Sequence, residues 1–160
     1  VAACERWGKV VILAADDLSV VQDNFEAGRA KRAKWVDEDH LWWSNGSGLH
    51  QLTLSTGAQE QIIEPQGNTI EDFAWDPGGN YLALVVYTGV LALYDFRELG
   101  RLAEIRDQID YSKGVMWIPP DADGESYPLD VVTFGRSGTA HAFRVHNDSL
   151  VALGPMEGLR

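Results

Sequence analysis

Phe73-Ala-Trp-Asp-Pro-Gly-Gly-Asn-Tyr-Leu-Ala-Leu-Val-Val-Tyr-Thr-Gly-Val-Leu-Ala-Leu-Tyr-Asp-Phe96 is the stretch that decides the fold. Two apolar runs, Tyr81–Tyr87 and Val90–Tyr94, flank a short turn at Thr88-Gly89. Both are rich in β-branched and aromatic residues, which suit a pleated, covered surface. Strand, short turn, strand is a hairpin, and glycine supplies the positive φ that tight turns need.

The same pattern recurs along the chain. Gly8–Ala14 precedes Asp16-Asp17 and Leu18–Val21. Gly46-Ser47-Gly48 precedes Leu49–Leu54, and Leu129–Phe134 precedes Arg136-Ser137-Gly138 and Thr139–Val145. Turns aligned at Asp17, Gly48, Gly89 and Gly138 are separated by 31, 41 and 49 residues. A tryptophan stands before each hairpin: Trp7, Trp35, Trp75 and Trp117. Trp35 precedes Gly48 by 13 residues and Trp75 precedes Gly89 by 14. In the last unit the gap is 21, and the Pro119–Pro128 segment reads as a loop insertion. A period near 40 residues with several strands per unit predicts stacked sheets of the β-propeller type. One small twisted sheet cannot bury both of its faces, so each needs a neighbour. The units fall at about 5–28, 33–64, 69–108 and 113–153 on this period.

The third unit resembles the WD-repeat pattern. Pro77-Gly78-Gly79 fills the turn after the first strand, and Tyr94-Asp95 stands where that pattern has Trp-Asp. Val21-Gln22-Asp23 and Leu54-Ser55-Thr56-Gly57 hold comparable places in the first two units. No Gly-His dipeptide opens a unit. The resemblance implies an all-β chain of antiparallel WD-repeat-like blades that forms part of a larger ring. It also implies a rigid platform in multiprotein complexes, with catalysis left to other subunits. About four blades fall short of the seven of a familiar WD ring, while propellers as a class have four to eight. Further blades are therefore expected from the same polypeptide or another chain. The chain opens on Val1, not methionine, which reads as a processed chain or a piece of a longer one. Arg97–Ile109 has good helix formers, but the repeat alignment makes Arg101–Arg106 an outer strand after a turn at Leu99-Gly100.

Composition narrows the function. The chain has 160 residues, 45% of them hydrophobic, and six tryptophans, as a folded domain should. Its formal net charge is −11, which repels phosphate backbones and anionic lipid and favours partners with basic surfaces. Direct nucleic-acid binding is not expected, and the basic run Arg29, Lys31, Arg32 and Lys34 reads as a solvated loop. No apolar run approaches membrane-spanning length. The single cysteine, Cys4, excludes an intrachain disulfide and fits an intracellular location, cytoplasmic or nuclear.

Candidate chemistry is sparse. His40, His50, His141 and His146 form no zinc spacing, and no cofactor or phosphate loop is visible. Asp121-Ala-Asp-Gly-Glu125 has only part of a calcium loop. Val36-Asp-Glu-Asp-His-Leu-Trp-Trp43 is the richest stretch. Its carboxylates fall in a turn, and Trp42 and Trp43 begin the next strand. Side chains alternate along a strand, so one indole is expected in the core and the other exposed as a partner anchor. Trp42, Trp43, Asp37 and Asp39 are the expected partner-binding residues. The expected function is a non-catalytic protein–protein interaction scaffold, a propeller subunit of a multiprotein complex. The alternative is a propeller-fold hydrolase of glycosidase or lactonase type with acidic site residues. Val10–Leu13, Leu82–Val85 and Val131–Phe134, read as the inner strands, carry no acid or histidine and speak against it. A two-sheet β-sandwich is a third possibility, disfavoured by the recurring tryptophan spacing.

Overall fold

The computed structural model describes residues 2–4, 10–22, 27–106, 111–119 and 130–156. Trp7, Asp23 and the acidic stretch Asp121–Glu125 lie outside the described residues.

Every described regular element is a strand, and each strand pairs with its neighbour in sequence through antiparallel ladders. The first sheet holds β1 (Ala2–Cys4), β2 (Val10–Leu13) and β3 (Val20–Gln22). The second holds β4 (Arg32–Trp35), β5 (His40–Asn45), β6 (Gly48–Thr53) and β7 (Ala58–Ile63). The third holds β8 (Ile70–Trp75), β9 (Tyr81–Val86), β10 (Val90–Asp95) and β11 (Arg101–Ile105). The fourth holds β12 (Ser112–Trp117), β13 (Val131–Gly135), β14 (Ala140–His146) and β15 (Ser149–Pro155). The four hairpins read from the sequence are β2–β3, β5–β6, β9–β10 and β13–β14. Strand β11 follows Leu99, whose φ of 54° makes the turn, so the stretch with helix formers is extended at Arg101–Ile105. Its ladder with β10 outweighs local helix propensity.

The chain divides into two compact units, Val1–Ile70 and Glu71–Arg160. In the first, Val10, Ile12, Ala27, Ala30, Leu41, Trp43 and Leu52 make one core, with Trp35 and Leu54 packed against it. In the second, Ala83, Val85 and Leu91 of the third sheet meet Val115, Val131 and Phe143 of the fourth. These are alternate residues on their strands, so each sheet offers one face to its neighbour. Sheet leans on sheet within each unit, as the repeat requires.

The edge strands correct one expectation. Leu82–Val85 and Val131–Phe134 are second in their sheets, not at the edge. In the C-terminal unit the first strands meet instead: the Val115 amide of β12 donates to the Asp72 carboxylate of β8 at 3.2 Å, and the Trp117 indole donates to the Ala74 carbonyl at 2.8 Å. Apolar content marks burial, and the most apolar strands are central ones. The first strand carries Glu71 and Asp72.

The third and last strands of the four-stranded sheets pair with a shift of register. It falls at Leu49/His50 in β6–β7, Leu93/Tyr94 in β10–β11 and Ala142/Phe143 in β14–β15. These are β-bulges, which kink a strand and sharpen its twist.

Candidate partner-binding surfaces

The turn between β4 and β5 is built on carboxylates. Asp37 Oδ1 accepts the amides of Asp39 and His40, both at 2.8 Å, and Oδ2 lies 2.8 Å from His40 Nδ1. Those donors, the Asp39 amide first and then the His40 ring, hold the Asp37 carboxyl below its ordinary range. Asp39 reaches across to the β6–β7 turn, accepting the Ser55 amide and the Ser55 hydroxyl, both at 2.7 Å. The third sheet repeats the device: Asp76 accepts the amides of Gly78, Asn80 and Tyr81. Asp37 and Asp39 are thus turn-formers first. Glu38, between them, is exposed and makes no hydrogen bond or ion pair among the described residues.

The two tryptophans expected nearby behave differently from expectation. Trp42 is 5% exposed and Trp43 2%, so neither indole is a surface anchor. Strand β5 lies between β4 and β6, and both of its faces are covered. Alternation put the rings on opposite faces, but it does not say which faces meet solvent. Trp43 joins the core of its unit and stacks on His50, with ring centroids 5.2 Å apart. Trp42 donates from its indole to Gln51 Oε1 at 2.7 Å. Burial lowers the His50 pKa below its ordinary value.

Trp35, at the end of β4, is half-buried. It lines an open groove of about 490 Å³ with Ile12, Leu13, Val21, Leu54, Asp37 and Glu38. Its lining combines aliphatic and aromatic side chains with two carboxylates. Val21 is 54% exposed there. In the sequence Trp35 stood out only as a repeat marker. Its place at a strand end beside a turn was the available signal.

The second unit carries a different surface. Val115, Val131 and Phe143 face the third sheet. The alternate residues of the same strands point the other way, and Met116 is 43% exposed, Phe134 39% and Val151 48%. Met116 pairs in register with Val132, Phe134 with Ala140 and Arg144 with Val151, so the three exposed apolar side chains share a face on which Val132, Ala140 and Ala142 are buried.

A charged cluster escaped the sequence reading. Glu71, almost wholly buried, receives Lys113 Nζ at 2.8 Å. The same ammonium lies 4.5 Å from the centre of the Tyr87 ring, and Tyr87 meets Tyr111 at 5.3 Å. Asp72 accepts its neighbour Phe73's amide at 2.9 Å as well as that of Val115. The two acids of the first strand therefore tie β8 to β12. Among the described residues no group of three histidines, cysteines or acids could hold a metal ion, and no helix is long and apolar enough to cross a membrane.

Known structures place this arrangement. A chain of the mitotic checkpoint complex matches with a TM-score of 0.74 at 9% identity, over 98% of this chain and 48% of its own. U3-55K matches with a TM-score of 0.70 at 9% identity, over 97% of this chain and 49% of its own. The WD40 repeats of RRP9 match with a TM-score of 0.70 at 10% identity, over 97% and 48%. The fold is propeller-like. The chain spans about half the length of the structures it matches. No protein-family model matches its sequence, and no curated protein does.

Proposed function

We propose that this chain is a WD-repeat-like, non-catalytic interaction scaffold, a propeller subunit of a multiprotein assembly. The observation that carries the reading is a set of exposed apolar side chains on one face of the fourth sheet, Met116, Phe134 and Val151. Monomeric proteins seldom leave contiguous apolar surface in water, and such patches mark interaction sites. In a propeller, that face is where a further blade rests. The matched structures are about twice as long, which supports further blades supplied by the same polypeptide or by another chain. Likeness to a chain of a checkpoint complex supports a role among protein partners. The net charge of −11 favours partners with basic surfaces and disfavours direct nucleic-acid contact. Partner contacts from the Val36–Trp43 stretch run through its acidic turn, since Trp42 and Trp43 are buried. An intracellular location, cytoplasmic or nuclear, goes with this reading and with the single cysteine.

Two measurements test it. The 160-residue chain should bind a hydrophobic dye, and the double substitution Met116→Glu and Phe134→Glu should abolish that binding while the far-ultraviolet dichroism stays unchanged. A chain that is monomeric, fully soluble and blind to the dye does not need further blades. Affinity purification should recover protein partners that survive washing. Recovering none counts against the scaffold.

A further inference from the structure

We infer that the groove of the N-terminal unit seats a short segment of a partner protein in which an aliphatic side chain stands next to a lysine or arginine. This deepens the scaffold reading and rests on it.

The groove's chemistry has two parts. Ile12, Leu13, Val21, Leu54 and the Trp35 ring form a floor that gains by being removed from water. Asp37 and Glu38 add two exposed carboxylates to the lining. Asp37 is fixed, because the Asp39 and His40 amides hold its carboxylate. Glu38 is not committed to any other group among the described residues, so it is available to a cation. At about 490 Å³ the groove has room for a few side chains, within the roughly 300–1,000 Å³ of ordinary ligand pockets. It is too small for a folded domain to enter.

Charge selects among possible occupants. An acidic segment would bring like charge against the two carboxylates, on a chain whose net charge is already −11. A purely apolar segment would leave the Glu38 carboxylate without a cation, since Asp37 already has the Asp39 and His40 amides and the His40 ring. A basic-aliphatic segment satisfies both parts and is drawn in by the long-range field. The Trp35 ring face suits a guanidinium or ammonium as well.

The test uses a fluorescein-labelled octapeptide with Leu-Ile at its centre and Lys-Arg on each side, followed by anisotropy. Binding is expected, and it should weaken as salt rises from about 50 to 300 mM. Replacing the basic residues with glutamate, or Leu-Ile with serine, should each weaken it by about tenfold or more. Glu38→Lys should cut affinity for the basic peptide and raise it for the acidic one. Val21→Ser, at an exposed strand position, should cut both. Near-ultraviolet dichroism checks that the variants keep their fold. No binding, equal binding of the basic and acidic peptides, or indifference to both substitutions overturns the inference. Affinity purification with Glu38→Lys and Val21→Ser separates the two claims. Partners retained by both variants sink the groove and leave the scaffold standing. Partners absent from the unsubstituted chain as well sink the scaffold.

Discussion

Asp39 stands in one turn and ties it to the next with its carboxylate, so its loss should be felt in folding. Asp39→Ala removes the acceptor of the Ser55 amide and hydroxyl. It should cost about 1–3 kcal/mol, read as a lower urea midpoint, while Glu38→Ala should move the midpoint little. His50 gives a pH signature. Burial holds its folded-state pKa below the ordinary value of 6.5, so the folded state prefers the neutral ring. Below pH 6.5 the unfolded chain binds the extra proton first. The ring's contribution is thus complete above that pH and declines as pH falls toward the folded-state value. Stability of the unsubstituted chain should decline as pH falls through 6.5, and His50→Gln should flatten that slope in urea unfolding. At this scale the sequence placed Asp37 and Asp39 well. The carboxylates were expected in the turn before a strand, and there both accept hydrogen bonds. One indole was expected in the core, where Trp43 lies, but the other is not exposed, because alternation reports orientation and says nothing about what covers each face.

The hairpins were the legible elements. Each combines β-branched runs with a turn whose chemistry is local, so a one-dimensional reading suffices. Gly48 shows how strict that chemistry is. It sits at φ 133°, and a Cβ there would collide with the Ile63 carbonyl oxygen of the adjoining strand. Gly48→Ala should therefore destabilise by more than about 1 kcal/mol, measured by urea unfolding, because neither the backbone nor the neighbour can yield. Gly57, also at positive φ, has open space where a Cβ would stand, so Gly57→Ala should be milder. First strands were harder to place. Strand β8 carries Glu71 and Asp72, and its polar residues are answered by Lys113 and the Val115 amide, more than forty positions away. Nothing local announces such partners. The groove was illegible for the same reason, since Ile12, Trp35 and Leu54 meet only once two sheets have stacked.

Across the whole molecule, acid should act on both units together. Asp17 and Asp37 in the first unit and Asp95 and Glu104 in the second all have carboxyls held below their ordinary pKa, chiefly by hydrogen bonds to the charged form. A depressed folded-state pKa contributes stability above the unfolded value that disappears as pH falls through the folded one. With respect to these groups the chain should be steady down to about pH 4 and weaken below it, and acid titration of its dichroism checks this. Asp17 and Asp37 are well exposed to solvent, so raised salt should soften their share of the effect. Finally, a protein assembled from many small sheets carries many ribbon margins, each able to zip onto a copy of itself. The shifted pairings beside β7, β11 and β15 kink those margins, and charged side chains such as Glu60, Arg101 and Glu104 stud two of them. Kinked, charged borders do not template a continuous cross-molecule ladder, so in concentrated solutions of this chain β7 and β11 should resist fibril growth.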